Sequence, residues 1–239
     1  MPNSYFQFKQ FTVHQENCAM KVSTDAVILG ALVNEAFPTR ILDIGTGTGV
    51  ISLMLAQRFQ EAKILGLEID QPAFEQANEN KNNSPFKDQI EIHHLSFQEF
   101  SKKHTESFPL IVSNPPYFPH HNKSKNVQRN KALHNDELSF GDLIKGVVKL
   151  LDKNSGAFWV ILPPRQMDDL EKIAAFFGLH PKDFFELRDR PSTKVLRHIK
   201  SFTFTESLKP TPSLITIKND DSSYSKVYQE LLKDFLLIF

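Results

Sequence analysis

Residues 41–49 read ILDIGTGTG, a short apolar run that leads directly into three alternating glycines. A strand that ends on a glycine-rich turn and continues into a helix is typical of a nucleotide-binding α/β unit. Residues 50–59, which follow the glycines, have the periodicity of a helix. This stretch therefore predicts an α/β fold and a ligand site above the turn.

The alternation of strand and helix continues along the chain. Strands are predicted at 63–69, 89–93, 110–113 and 157–162, and helices at 72–82, 140–151 and 166–177. Strands that alternate with helices indicate a parallel sheet covered on both faces. The last quarter predicts strands at 184–187, 201–205 and 214–217 and a short helix at 225–235. We expect these late strands to complete the sheet in an antiparallel sense.

The chain length favours one domain that spans residues 1–239, because 239 residues with 40% apolar side chains can build one substantial core. Residues 39–239 are the expected core. Residues 1–38 are expected to form an N-terminal arm and a helix that cover the active site. The arm should be extended over 6–13, where aromatic and polar residues alternate, and Ser23 or Thr24 should cap the helix.

The bulk composition restricts the partners of the protein. The 28 basic and 28 acidic residues cancel, so attraction for a nucleic acid has to come from local clusters. The single cysteine, Cys18, excludes an intrachain disulfide and is typical of a reducing compartment, which predicts a cytoplasmic protein. No apolar stretch approaches the roughly 18 residues that a membrane span requires.

Two carboxylates flank the glycine turn in the predicted fold. Asp43 lies at the end of the first strand, and Glu68 ends the next one, where it can accept hydrogen bonds from ribose hydroxyls. A dinucleotide site would need the spacing GxGxxG and a phosphate, which Asp43 would repel. The spacing GxGxG with Asp43 favours a cationic ligand end instead, such as the ammonium or sulfonium of S-adenosylmethionine. The alternative is a tight structural turn without a ligand.

Residues 114–117 read NPPY and follow the predicted strand 110–113. An adenine amino group is a poor nucleophile because its lone pair is delocalised into the ring. The Asn114 side-chain oxygen and the Pro115 carbonyl can each accept one amino hydrogen, while Pro115 and Pro116 stiffen the turn. Tyr117 offers a face on which an unpaired base can stack. The alternative is an ordinary Asn-Pro turn beside a buried tyrosine.

These motifs resemble those of the class I methyltransferases that modify adenine N6 or guanine N2. The N-terminal segments FKQF at 8–11, CAMKV at 18–22 and TDA at 24–26 resemble, more narrowly, the bacterial family of valine-tRNA adenine-37 N6-methyltransferases. The resemblance implies a doubly wound, mostly parallel, Rossmann-like sheet of seven strands with the last strand antiparallel. It also implies a tRNA substrate, with S-adenosylmethionine as methyl donor and S-adenosylhomocysteine as product.

The resemblance further assigns the cofactor site. The implied bed is the first strand end, the turn and the second strand end: Asp43, Gly45, Thr46, Gly47, Gly49 and Glu68, with Asn114 beside it. Lys21, Thr24 and Asp25 would cover the methionine end. Relatives often hold the cofactor adenine with an acidic residue, but here residues 95–98 read LSFQ. Ser96 could accept that hydrogen bond, and Phe97 could cover the ring.

Basic residues are clustered in two places that could meet RNA phosphates. The first cluster lies between the NPPY motif and residue 138, and the second precedes the late strands. The residues assigned to RNA binding are Lys123, Lys125, Arg129, Lys131, Lys194 and Arg197. The alternative for each is a solvated charged surface. The histidine pairs at 93–94 and 120–121 have no ligand partners at metal spacing, so we expect no metal.

Several other functions share this chemistry. Ribosomal RNA could replace tRNA as the substrate, and N5-methylation of a protein glutamine uses the same planar amino group. About forty residues precede the glycine turn, which leaves little room for the helical substrate domain that glutamine methyltransferases usually carry. A DNA methyltransferase would need a target-recognition domain, so DNA is not expected. A catalytically silent RNA-binding module would not need the NPPY motif. We expect a monomer.

Overall fold

The computed structural model describes residues 4–18, 20–116, 138–206 and 208–239. The strands in this part of the chain are β1 (Tyr5–Gln7), β2 (Thr12–His14), β3 (Arg40–Ile44), β4 (Lys63–Glu68), β5 (Ile90–His94), β6 (Leu110–Ser113), β7 (Ala157–Leu162), β8 (His180–Arg188), β9 (Val195–Thr203) and β10 (Ser213–Thr216). The helices are α1 (Thr24–Leu32), α2 (Val50–Arg58), α3 (Gln71–Asn82), α4 (Phe97–Lys103), α5 (Phe140–Leu150), α6 (Pro164–Phe176) and α7 (Lys226–Leu232). Among the described helices, none has the length and apolar character needed to cross a membrane.

Serine and aspartate side chains start most of these helices. Ser23 accepts a hydrogen bond from the Ala26 amide at the start of α1, which confirms a cap at Ser23 and makes Thr24 the first helical residue. Asp70, Ser96, Ser139 and Ser225 cap α3, α4, α5 and α7 in the same way. Each cap satisfies an amide that the helix itself leaves without a partner.

The main sheet has the strand order β10-β8-β9-β7-β6-β3-β4-β5. Every neighbouring pair is parallel except β7 with β9 and β8 with β9. Strand β9 therefore runs opposite to the other seven. The order reverses between β3 and β6, which places a crevice at the carboxyl ends of these two strands.

The predicted α/β class and the mostly parallel sheet are confirmed, with two corrections. The sheet has eight strands in the described residues, not seven, and the last strand is parallel to its neighbour β8. The antiparallel strand is β9, because β8 and β9 form a long hairpin that inserts β9 between β7 and β8. The predicted strands at 184–187 and 201–205 overlap these two nine-residue strands, but β9 ends at Thr203.

Helices cover both faces of the sheet. Helices α1, α2 and α7 lie on one face, against strand residues such as Ile41 and Trp159. Helices α4, α5 and α6 lie on the other face, against strand residues such as Leu42 and Phe158. Because successive strand residues point to opposite faces, each central strand contributes to both cores.

The N-terminal arm is a hairpin rather than a single extended segment. Strands β1 and β2 pair in antiparallel register, and the buried rings of Phe8 and Phe11 stack with centroids 4.5 Å apart in the connecting turn. Phe8 forms a bridge to Leu236, and the Lys9 amide donates to the Phe235 carbonyl at 2.8 Å. The arm is therefore fixed to the body by residues near the other end of the sequence.

Candidate functional site

Three central strands end at the same level of the sheet. Ile44 of β3 is in register with Leu67 of β4 and with Ser113 of β6, and the Ser113 hydroxyl donates to the Ile44 carbonyl at 2.9 Å. The next residues along the chain are Gly45, Glu68 and Asn114, respectively. Parallel strands thus bring the glycine turn, the second carboxylate and the NPPY motif to one edge, which we call the catalytic edge.

The glycine turn leaves open space above its backbone. Gly45, Gly47 and Gly49 all have positive φ angles, of 72°, 58° and 81°. A Cβ atom placed on Gly45 or Gly47 would meet no atom within 4 Å, whereas one on Gly49 would lie 3.6 Å from the Cβ of Ala77. The first two glycines allow a ligand to approach the backbone, and the third allows α3 to pack closely.

Asp43 carries a buried charge that the described residues only partly compensate. The residue is 0% exposed, and its Oδ2 accepts hydrogen bonds from the hydroxyls of Thr46 and Ser52, both at 2.7 Å. Its Oδ1 has no hydrogen-bond partner in the described part of the chain. Burial raises the pKa of this carboxyl to about 6, although the two hydroxyls act in the opposite direction and Glu68 adds a small increase. At neutral pH Asp43 is ionised and suited to a cationic ligand.

Glu68 holds the turn together. Its Oε2 accepts from the Gly47 amide at 2.8 Å, and its Oε1 accepts from the amides of Ile69 and Asp70, both at 2.9 Å. An ionised carboxylate has about four lone-pair sites. Three are therefore in use, and about one is left for a ribose hydroxyl. The predicted contact with both hydroxyls requires the Gly47 amide to share or release its acceptor.

Asn114 also has a buried oxygen without a partner. Its Oδ1 is shielded from solvent, and no described residue donates to it. Pro115 is buried and Pro116 is exposed. An orphaned amide acceptor at the catalytic edge fits a donor from a ligand, since leaving it unpaired costs free energy. Tyr117 lies outside the described residues.

The predicted cover of the methionine end starts helix α1. Lys21 and Thr24 are exposed, whereas Asp25 is buried. Asp25 Oδ2 accepts a hydrogen bond from Arg197 Nε at 2.7 Å, so this residue assigned to the cofactor contacts one assigned to RNA. The guanidinium of Arg197 also donates to the Leu196 carbonyl at 2.8 Å. The ion pair links the start of α1 to strand β9 at the catalytic edge.

The residues predicted to hold the cofactor adenine have different environments. Ser96 caps α4 by accepting from the Glu99 amide at 3.2 Å, and the Leu95 amide donates to the Glu68 carbonyl. Phe97 is only 4% exposed, and its ring packs under α5 at Gly146. Contact between Phe97 and the cofactor adenine stays a prediction, and the structure shows the phenyl ring packed in the core. The ring fills a space in the core that exists because Gly146 has no side chain.

The RNA-binding predictions divide by location. Lys123, Lys125, Arg129 and Lys131 lie outside the described residues. Lys194 is exposed and immediately precedes β9. Because β9 is antiparallel and His198 pairs with Leu162 at the end of β7, the start of β9 projects beyond the catalytic edge. The structure thus places Lys194 and Arg197 on the same side of the molecule as Asn114.

Two residues that contact the predicted site were not singled out from the sequence. Ser52 bonds to Asp43, and the buried Asn80 of α3 contacts both the arm and the glycine turn. A signal for Asn80 existed, since the buried residues of α3 are Ala73, Gln76, Ala77 and Asn80, a helical stripe with two amides. Polar residues in the inward stripe of a helix need buried partners.

Comparisons with known proteins show a family for the chain and similar full-length relatives. Residues 18–138 match the model of a family described as the methyltransferase small domain. A protein of Bacteroides fragilis named tRNA1(Val) (adenine(37)-N6)-methyltransferase is 43% identical over 99% of both chains. One of the same name from Bacteroides thetaiotaomicron is 41% identical over 99% of both. In structure, a predicted O-methyltransferase from Agrobacterium tumefaciens has a TM-score of 0.68, with 18% identity over 88% of this chain and 96% of that one.

Proposed function

The chain belongs to the methyltransferase small domain family, and we propose from this premise that it methylates N6 of adenine 37 in a valine tRNA. The methyl donor is S-adenosylmethionine. The full-length relatives are named as methyltransferases of adenine 37 in this tRNA. The observation that supports the amino-group chemistry is the buried, unpaired Oδ1 of Asn114 at the catalytic edge. The whole chain, 1–239, acts as one methyltransferase domain in this proposal.

We propose that the cofactor is held by the open glycine turn and the two carboxylates. Gly45, Thr46, Gly47 and Gly49 form the bed, Asp43 faces the cationic part, and Glu68 accepts from the ribose. When bound, S-adenosylmethionine supplies an electrophilic methyl carbon on its sulfonium. Lys21, Thr24 and Asp25 cover the methionine end, and Ser96 is the remaining candidate for the adenine amino group. The unpaired Oδ1 of Asp43 supports this assignment.

We propose that Asn114 and Pro115 orient the target nitrogen. The Asn114 Oδ1 and the Pro115 carbonyl each accept one hydrogen of the adenine amino group, which directs its lone pair out of the ring plane. The nitrogen would bond to the methyl carbon as the donor's carbon–sulfur bond breaks and S-adenosylhomocysteine leaves, and it would then lose one proton to water, so no strong base is required. Pro116 restricts the turn, and Tyr117 stacks on the base.

The tRNA is proposed to contact basic residues on the catalytic edge. Lys194 and Arg197 are assigned to this surface by their position at the start of β9. Lys123, Lys125, Arg129 and Lys131 are assigned from the sequence alone. The proposal includes a monomeric protein that acts in the cytoplasm, where tRNA is modified, and that does not use DNA. Ribosomal RNA and a protein glutamine are the alternative substrates.

The proposed function is tested by methyl transfer from labelled S-adenosylmethionine to purified tRNA, ribosomal RNA, DNA and protein. We expect label in valine tRNA, recovered as N6-methyladenosine, and none after adenine 37 is replaced by guanine. Asn114→Ala should lower kcat by about a hundredfold, with cofactor affinity unchanged. Asn34→Ala, an exposed asparagine at the opposite edge of the sheet, is the matched control. Label that persists in the guanine-37 tRNA, or that enters another pool instead, would contradict the proposal.

A further inference from the structure

A buried asparagine on α3 connects two parts of the proposed cofactor site. Asn80 is 0% exposed, and all the bonds of its side chain go to backbone groups. Its Oδ1 accepts from the His14 amide at 2.8 Å. Its Nδ2 donates to the His14 carbonyl at 2.8 Å and to the Thr48 carbonyl at 2.9 Å. Both hydrogens of Nδ2 and the oxygen Oδ1 thus bond to the arm or to the glycine turn.

The contact with His14 imitates a neighbouring strand. His14 is the last residue of β2, and both its amide and its carbonyl bond to one side chain. A backbone partner in a sheet would supply the same donor and acceptor. Asn80 therefore fixes the point at which the arm leaves its hairpin and continues towards α1.

The segment after His14 leads to the cover of the cofactor site. The Asn17 amide lies 3.4 Å from Gln76 Oε1 on α3, and the Val22 amide donates to Gln15 Oε1 at 2.9 Å. Ser23 and helix α1 follow immediately. A displacement of the arm at His14 would therefore reach the residues proposed to cover the methionine end.

The third bond fixes the floor of the same site. Thr48 lies between Gly47 and Gly49, which have positive φ angles and no side chains that could hold the turn in place. Asn80 anchors the Thr48 carbonyl to α3, while Gly49 packs against Ala77 one turn earlier on that helix. A buried amide with three good partners holds its surroundings in one arrangement.

We propose that Asn80 is a positioning residue that couples docking of the N-terminal arm to the conformation of the cofactor-binding turn. This inference rests on the proposed cofactor site but adds a residue and a linkage. Because one carboxamide bonds to both the arm at His14 and the glycine turn at Thr48, binding of the cofactor stabilises the docked arm. By reciprocity, a released arm weakens cofactor binding.

The test compares Asn80→Ala with Asn78→Ala, which lies on the same helix and, among the residues that the structure describes, bonds only to the Phe74 carbonyl, at 3.1 Å. We expect Asn80→Ala to weaken S-adenosylhomocysteine binding by about tenfold in calorimetry, because three buried hydrogen bonds are lost. The KM for the methyl donor should rise by a similar factor, and kcat at saturation should change less than about twofold. Asn78→Ala should change neither.

The linkage is measured by hydrogen exchange of the arm amides at 5–14. S-adenosylhomocysteine should slow this exchange in the wild type and in Asn78→Ala but not in Asn80→Ala. If Asn80→Ala folds poorly, Asn80→Asp keeps the shape and the acceptor for the His14 amide while removing both donors. Lower stability with unchanged cofactor affinity would show a merely structural role and overturn the proposal. If Asn80→Ala binds the ligand more weakly but the ligand still slows hydrogen exchange of the arm as in the wild type, the coupling is also overturned. A wild type that does not bind S-adenosylhomocysteine would contradict the proposed function itself.

Discussion

The ionised carboxyl group of Asp43 suits the proposed cationic ligand but lowers the stability of the folded protein. Its burial and its unpaired Oδ1 make the ionised form costly in the absence of a cation. The hydroxyls of Thr46 and Ser52 compensate only one oxygen. A site that holds such a charge in advance is ready for a cationic ligand, because the desolvation cost is already included in the folded state.

The pKa of Asp43 predicts a specific pH dependence of stability. The pKa is about 6 in the folded protein and 3.8 as its ordinary value, so the folded state keeps a proton that the unfolded chain releases between these values. The free energy of unfolding contributed by this group therefore falls as the pH rises from about 4 to about 6. Relative to Asp43→Asn, the wild type should lose on the order of 2–3 kcal/mol across this window.

The measurement is urea unfolding of the wild type and Asp43→Asn at several pH values between 4 and 7. Asp88→Asn, at an exposed aspartate, controls for the loss of a carboxylate. A constant difference between wild type and Asp43→Asn across this range would contradict the raised pKa.

Single residues could be predicted where the strand pattern alone determines their position. Asp43, Glu68 and Asn114 each stand at the end of an apolar strand, and parallel strands bring such ends together. Phe97 could not be placed in this way. Its ring is buried because the facing helix carries Gly146, and helix-to-helix contact is not visible in a strand pattern.

At the scale of elements, the contact of α4 with α5 depends on a missing side chain. A Cβ atom on Gly146 would lie 2.4 Å from Phe97 Cε1 and 2.6 Å from Phe97 Cζ, distances that real contacts do not allow. The ring is held in the core, so it cannot simply move away. The two helices can approach only because this position is glycine.

Gly146→Ala is predicted to destabilise the protein by about 1–3 kcal/mol through overpacking. Gly141→Ala is the matched control on the same helix, since its Cβ would meet only Ser139 Oγ at 3.7 Å. That change should be neutral or stabilising by up to about 1 kcal/mol, because alanine favours the helix. Denaturant unfolding of both variants measures the difference. Equal effects of the two substitutions would disprove the packing argument.

The elements with strong periodicity were predicted close to their observed positions. The order of the strands in the sheet could not be predicted. The helix after the glycine turn was predicted at 50–59 and found as Val50–Arg58. The insertion of β9 between β7 and β8 could not be read from the sequence, because strand partners are chosen by the length and packing of the β8–β9 hairpin. The pairing of β10 with β8 has the same origin.

At the scale of the whole molecule, the proposed binding of tRNA gains nothing from the net charge, which is zero. No overall field attracts the polyanion, so the contribution of each basic residue depends on where it lies. Lys194 lies at the catalytic edge. Lys103 is exposed at the end of α4, towards the amino ends of the parallel strands. The two lysines therefore form a natural comparison.

Lys194→Ala is predicted to weaken tRNA binding and to lower the slope of log affinity against log salt by about one unit. Lys103→Ala should leave both quantities unchanged. Filter binding of valine tRNA at four or five salt concentrations provides the measurement. A wild-type slope for Lys194→Ala would remove this residue from the RNA-binding surface.

The contacts between the arm and the residues after α7 have a consequence for synthesis on the ribosome. Phe8 bridges to Leu236, and Lys9 donates through its side chain to the Phe239 carbonyl at 2.8 Å. The arm can therefore make these contacts only after residue 239 has been translated, at a rate of about 5–20 residues per second. Until then the arm can be held only by contacts with earlier residues, such as the hydrogen bonds between Asn80 and His14.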